Sequence, residues 1–164
     1  MTINYIIKDV TTVTGGVVVH GCNCQGVMGS GVALAIRKKW PIVFDRYKQL
    51  CDIAQDRVML LGTAHFILIE HNSDEVPLYV GNIFTQLSFG KDGKRYASIE
   101  DVDVGLMTAG KFAKLMKLPL YMPRIGCGLG GLDWESEVRP LVEILEEVLD
   151  IDIFVCDLDV SARV

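Results

Sequence analysis

Two glycine-rich stretches stand out in the chain as candidates for binding or catalysis. The first reads His20-Gly21-Cys22-Asn23-Cys24-Gln25-Gly26-Val27-Met28-Gly29-Ser30-Gly31, and the second Pro123-Arg124-Ile125-Gly126-Cys127-Gly128-Leu129-Gly130-Gly131. Glycine accepts backbone angles that a side chain forbids and lets a ligand approach the main chain. Successive N–H groups in such a turn form a concave anion site, and a helix starting directly afterwards adds partial positive charge. Two loops of this kind could grip a diphosphate without any lysine. Each loop taken alone could equally be a tight turn, but two in equivalent places favour a ligand. An imidazole such as that of His20 ordinarily titrates near neutrality, so it could move a proton or attack phosphorus. A strand-end histidine could also simply fix the loop by hydrogen bonding.

Competing chemistries fit less well. Gly126-x-Gly128-x-x-Gly131 formally satisfies the dinucleotide fingerprint, yet only one strand is expected after it, too few for a complete dinucleotide-binding domain. No Gly-Lys-Ser/Thr follows either cluster, which removes the P-loop. His20, Cys22 and Cys24 alternate and would share one face of a strand. The usual zinc spacing is absent, however, and no fourth ligand is evident, so neither a metal nor a cofactor is expected.

The elements around these loops follow from residue patterns. Residues 3–8 and 17–20 are β-branched runs that read as strands, as do 63–70 and 77–84, which flank the polar turn His71-Asn72-Ser73-Asp74-Glu75. Helical composition covers about 31–39, and Pro41 suits the first turn of a second helix running to about Ala54. A helix from about Ser98 to Met116 carries Val102, Leu106, Ala109, Ala113 and Met116 on one face. A short strand at 119–122 leads into the second glycine loop. A helix at about 134–149 follows, with Leu141, Leu145 and Val148 at helical spacing, then a strand at 151–157 with alternating Ile151, Ile153 and Val155. Strands interleaved with helices imply an α/β fold with a largely parallel sheet covered on both faces. Ligands in such folds bind at the carboxyl ends of the strands, where both loops fall.

Bulk properties set the limits. The 164 residues suit one domain, expected over 1–160 with a short tail at 161–164. Half the residues are hydrophobic and 23% are charged, as expected of an ordered globule. Apolar runs such as Phe66-Ile67-Leu68-Ile69 are too short to cross a bilayer, and Met1-Thr2-Ile3-Asn4 does not begin a secretory signal. The five cysteines are odd in number and lack Cys-x-x-Cys spacing, which favours reduced thiols and a cytoplasmic location. A net charge of −5 disfavours nucleic acid as a partner, and Arg37-Lys38-Lys39 suit a helix C-terminus instead. A monomer that meets a small-molecule nucleotide is expected.

The first loop, with Val32-Ala33 after it, resembles the first ligand loop of macro domains, in particular the branch of ADP-ribose-1″-phosphate phosphatases and terminal ADP-ribose glycohydrolases. The second loop with Trp134 resembles the matching segment, and Phe84-Thr85-Gln86 through Phe89-Gly90 resembles a further one. The resemblance implies a three-layer α/β/α fold with a mixed, largely parallel central sheet. By position it makes Asp9, with the Val10 backbone beside it, the adenine-recognising residue, though an aspartate there could also cap a turn. Asn23 corresponds to the distal-ribose contact, or else satisfies local backbone. Gly29, Ser30, Gly31 and Val32 correspond to the first phosphate loop, and Ile125, Gly126, Cys127, Gly128, Leu129 and Gly130 to the second. Thr85 joins the expected ligand contacts.

The glycohydrolases use a lysine and a second-loop aspartate where this chain carries Gln86 and Gly130, so that mechanism is disfavoured. His20 resembles the histidine proposed to act in the phosphatases. Asp133 is the nearest candidate carboxylate, although it also suits a helix N-cap. The expected activity is slow release of phosphate from ADP-ribose 1″-phosphate to give ADP-ribose. A non-catalytic ADP-ribose-binding module, or a hydrolase of ADP-ribosyl or O-acyl-ADP-ribose esters, remains as the alternative.

Overall fold

The computed structural model describes residues 1–69 and 73–159. The last residue of the strand expected at 63–70, His71 and Asn72 of the turn, and the expected tail at 161–164 lie outside the described residues. Among the described residues six strands are present: β1 (Ile3–Ile7), β2 (Gly16–Asn23), β3 (Ala64–Ile69), β4 (Leu78–Gln86), β5 (Leu120–Met122) and β6 (Ile153–Asp157). They form one sheet of order β1-β6-β5-β2-β4-β3, in which only the β3–β4 pair is antiparallel. The mixed, largely parallel sheet expected from the sequence is therefore present.

Among the described residues four α-helices cover the sheet: α1 (Gly31–Lys39), α2 (Pro41–Ile53), α3 (Ile99–Met116) and α4 (Arg139–Leu149). Successive residues of a strand point to opposite faces, and β2 shows the consequence. Val17 and Val19 pack with Ile83 against Leu106 of α3 and Leu145 of α4. Val18 packs with Val80 against Ile36 of α1 and Val43 of α2. Both faces of β2 are thus dry, as a central parallel strand requires, which accounts for its unbroken Val-Val-Val run. Pro41 occupies the first turn of α2, as its fixed φ favours. Ser98 caps α3, its hydroxyl accepting from the Asp101 N–H. Arg37, Lys38 and Lys39 occupy the last turn of α1, where the helix dipole favours cations. No described helix is long and apolar enough to cross a membrane.

One helix face differs from expectation. Trp134–Val138 forms a π turn, and the α-helix proper starts at Arg139. The Val138 N–H reaches back to Asp133 O at 3.3 Å, which inserts an extra residue and rotates everything after it. The buried face consequently runs through Val138, Val142, Leu145 and Leu149. Leu141 is only partly buried and Val148 is 63% exposed, so the expected Leu141–Leu145–Val148 face is corrected.

The close fit of α3 on β4 matters because β4 ends at Thr85 and Gln86. A Cβ at Gly105 would stand 2.2 Å from Ile83 Cγ2. Gly105→Val should therefore lower the unfolding free energy by about 1–3 kcal/mol through overpacking. The exposed neighbour change Val104→Ala should stay within about 0.5 kcal/mol. Urea unfolding of the two variants checks this.

Candidate functional site

The loops that follow β2 and β5 open at the same edge of the sheet because the two strands run parallel, Val17 beside Leu120 and Val18 beside Tyr121. Residues of both loops line a single cleft of ≈ 560 Å³, a size usual for small-molecule sites. Segments a hundred residues apart in sequence thus share one crevice. Asn23, Gly29, Ser30, Gly31 and Val32 line it together with Ile125, Gly126, Gly128, Leu129 and Gly130, and so do His20 and Thr85. Among the described residues, the N–H groups of Ser30, Gly31 and Val32 have no partner, nor do those of Gly128, Leu129 and Gly130. Ser30 also makes no side-chain cap to α1. Unpaired backbone donors converging on a cleft suit an anion.

The second loop needs glycine for steric reasons. Gly126 adopts φ +77°, and a Cβ at Gly130 would stand 2.7 Å from Gly126 O. An aspartate cannot occupy position 130 in this loop, so the missing carboxylate is part of how the loop is built. Leu132 N–H bonds Gly126 O at 2.8 Å and closes the turn.

The first loop is shaped from within by Tyr47 of α2, which is fully buried. Its hydroxyl donates toward Asn23 O and Oδ1, both at 2.8 Å, and accepts from the N–H groups of Gly26 and Val27, both at 3.1 Å. Asn23 adds two more ties: Oδ1 accepts from Gln25 N–H at 2.9 Å and Nδ2 donates to Val27 O at 2.8 Å. Asn23 lines the cleft while bracing its own loop. Burial and neighbouring thiols raise the Tyr47 pKa far above its ordinary value, so the hydroxyl stays protonated.

His20 is 1% exposed and pairs in register with Asn82 of β4. Its Nε2 lies 2.5 Å from Asn82 Oδ1, whereas Nδ1 has no partner among the described residues. With Asn82 Oδ1 accepting, Nε2 carries the proton and Nδ1 keeps a lone pair. Burial pushes the ring's pKa down to about 4, against the partial support of Asn82. The expectation of titration near neutrality is therefore corrected: His20 is a neutral group at pH 7. The Cys22 thiol on the cleft wall is raised well above its usual value by burial, and Cys127, which does not line the cleft, is pushed up to about 11 for the same reason. Neither thiol is an activated nucleophile.

Asp9, Val10, Cys127 and Asp133 are the expected site residues absent from the cleft wall. Asp9 caps a short 3₁₀ turn, its carboxylate accepting from the Thr11 N–H at 2.9 Å and hydroxyl at 2.7 Å, and Val10 is buried within that turn. Asp133 caps the π turn before α4, accepting from the Ser136 N–H at 2.9 Å and hydroxyl at 2.6 Å. Those bonds hold its carboxyl below the usual range. Its local engagement supports the capping role over the catalytic one.

The structure also adds residues that sequence reasoning did not place in the site. Phe89, Gly90 and Lys91 line the cleft from the segment after β4, beside Gln86 at the strand's end, and Arg124 lines it from the second loop. Arg124 is held by Asp157 in a two-bond pair of 2.8 and 3.0 Å. The segment after β4 could have been found from its position, since it too follows a parallel strand at the ligand edge. Tyr47 gives no such signal, because only the packing of α2 on the first loop brings its hydroxyl there. No three His, Cys, Asp or Glu side chains are grouped to hold a metal among the described residues.

Tyr47→Phe should cost about 1–3 kcal/mol by leaving loop polar groups unpaired. Amide exchange at Gly26 and Val27 should quicken in that variant, with urea unfolding giving the stability loss. For His20, the unfolded ring binds a proton near pH 6.5 and the folded ring only near 4. Stability should therefore fall as pH drops through that window, by a quantity on the order of 3 kcal/mol. Unfolding from pH 7 to 4 should show a shallower fall for His20→Gln than for wild type; equal slopes would contradict the burial effect.

Comparison with known proteins agrees with this geometry. A family model described as Macro domain matches residues 19–140. The DNA ADP-ribosyl glycohydrolase of Mycobacterium tuberculosis is 24% identical over 92% of this chain, which spans only 40% of that relative's length. The ADP-ribose 1″-phosphate phosphatase of Lodderomyces elongisporus is 28% identical over 96% of this chain and 100% of its own. Among solved structures, Thermosipho africanus DarTG in complex with ADP-ribose superimposes with a TM-score of 0.75 at 22% identity, covering 98% of this chain and 43% of that one. With its sheet order, its paired glycine loops and the family match over most of its length, this chain belongs to the macro domain family.

Proposed function

We propose that the cleft binds an ADP-ribose-type nucleotide diphosphate and that the chain slowly hydrolyses ADP-ribose 1″-phosphate to ADP-ribose and phosphate. The observation that carries the reading is that both glycine loops line one cleft and keep N–H groups at 30–32 and 128–130 without a partner among the described residues. In this reading the diphosphate lies between residues 29–32 and 126–130. The adenine extends toward Asp9 and Val10 at the end of β1, and the distal ribose toward Asn23, Thr85 and Gln86 at the ends of β2 and β4. The relatives named as ADP-ribose 1″-phosphate phosphatases and the ADP-ribose complex of a similar fold support this choice of ligand.

The chemistry rests on His20. The imidazole accepts a proton as water attacks phosphorus, the bond from phosphorus to the ribose oxygen breaks, and the protonated ring passes that proton to the ribose oxygen, which leaves as ADP-ribose. A base with a pKa of about 4 is a weak one, and turnover should be modest. Gln86 offers no amine and Gly130 no carboxylate, which argues against attack on the ribose itself.

One observation favours a second reading, a non-catalytic ADP-ribose-binding module. Among the described residues, the cleft wall contains no aspartate or glutamate to serve as a second acid or base. A ³¹P NMR time course on ADP-ribose 1″-phosphate, with calorimetry on ADP-ribose, separates the two. Wild type should release phosphate, and His20→Ala should slow release by about 10²–10⁴-fold. Binding without turnover would select the module, and the absence of binding would reject both readings.

A further inference from the structure

We propose that Lys91 is a specificity-determining residue, which makes the cleft prefer a ligand carrying a terminal phosphate on its distal ribose over one with a free hydroxyl there. This rests on the proposed reading of the cleft and adds to it the group that would recognise the phosphate. Lys91 and Arg124 are the two charged residues on the cleft wall among the described residues. They differ in what they already hold. Arg124 is neutralised by its two bonds to Asp157, at the β5–β6 end of the site. Lys91 has neither an ion pair nor a side-chain hydrogen bond among the described residues, and it is exposed at the mouth. It is the one uncompensated charge facing the cleft there.

The order of strands fixes which end of a ligand Lys91 would meet. From β1 the sheet runs through β6 and β5 to β2, and β4 lies beyond β2. The two phosphate-gripping loops follow β5 and β2, so a ligand whose adenine lies over β1 brings its distal sugar over β2 and β4. Lys91 belongs to the segment that leaves β4 and lines the cleft together with Gln86, Phe89 and Gly90.

That segment is held in place. Tyr96 donates its hydroxyl to both oxygens of Asp92, at 2.9 and 3.0 Å. The N–H groups of Tyr96 and Ala97 both bond Gly130 O, at 2.9 and 3.0 Å, which ties the segment to the second glycine loop. Gly90 sits so close to the Tyr96 hydroxyl that a Cβ would stand 2.2 Å away. Asp92, the carboxylate beside Lys91, is therefore engaged by Tyr96, and it also faces the Lys94 ammonium at 3.7 Å. These ties anchor the segment next to Lys91, which lessens the ordering that a contact there must overcome. A phosphate adds two negative charges at most, and a lysine ammonium pairs with it as a point charge.

Calorimetry with ADP-ribose and ADP-ribose 1″-phosphate, on wild type and on Lys91→Met and Lys94→Met, tests this. Wild type should bind the phosphorylated ligand more tightly, by about tenfold, as expected for one partly exposed charged contact. Lys91→Met should bring that ratio close to one. Lys91→Arg should keep much of it, and raised salt should shrink it in wild type. Lys94→Met, whose side chain lies outside the cleft wall, should leave the ratio as it is. A wild type that binds both ligands equally, or a Lys91→Met protein with the wild-type ratio, overturns the proposal while leaving the ADP-ribose reading intact. Failure of wild type to bind either ligand overturns both.

Discussion

Parallel alignment is the constraint on which the rest of this molecule depends. Since β1, β6, β5, β2 and β4 all run the same way, every loop that leaves a carboxyl end leaves at one edge of the sheet. Residues of the loops after β2, β4 and β5, distant along the chain, accordingly wall a single cleft. Parallel neighbours also demand dry faces on both sides, and the two valine-centred clusters on either side of β2 meet that demand. The same alignment sets Asn82 beside His20, so the hydrogen bond that orients the imidazole is a product of strand register.

Within that frame, charge is handled largely by the backbone. An acidic chain offers an anion its unpaired N–H groups, at a helix start and in a glycine turn, where the donors are fixed and need no lysine. Hydrogen bonds from neighbouring elements brace the loops that carry those donors. The Tyr47 hydroxyl joins four polar atoms of the first loop, and Gly130 O joins the second loop to the segment after β4. The groups that would ordinarily supply reactivity are restrained by burial. His20 is held neutral, and the thiols are held protonated. Unpaired backbone donors and restrained side chains thus meet in one cleft.

Much of this was legible in the residue string. The strands, the helices and the two glycine loops could be placed because alternation, helical spacing, Pro41 and the glycine clusters are local signals. Membership in the family was also legible, since it rests on contiguous motifs. The helix at the C-terminal side was found, but its buried face was not. A π turn costs nothing in local composition, and it is favoured only when Trp134 and Val138 pack into the core.

Sequence alone therefore determined the α/β class and the position of the loops along the chain, because each is a matter of which residue stands where. Tertiary structure alone decided that His20 is neutral, that Asp133 serves as a cap, that Tyr47 shapes the first loop and that Lys91 faces the cleft. The physical reason is common to all four. Desolvation, hydrogen-bond partnership and the direction of a side chain depend on what packs against a residue, and those neighbours come from other strands and helices.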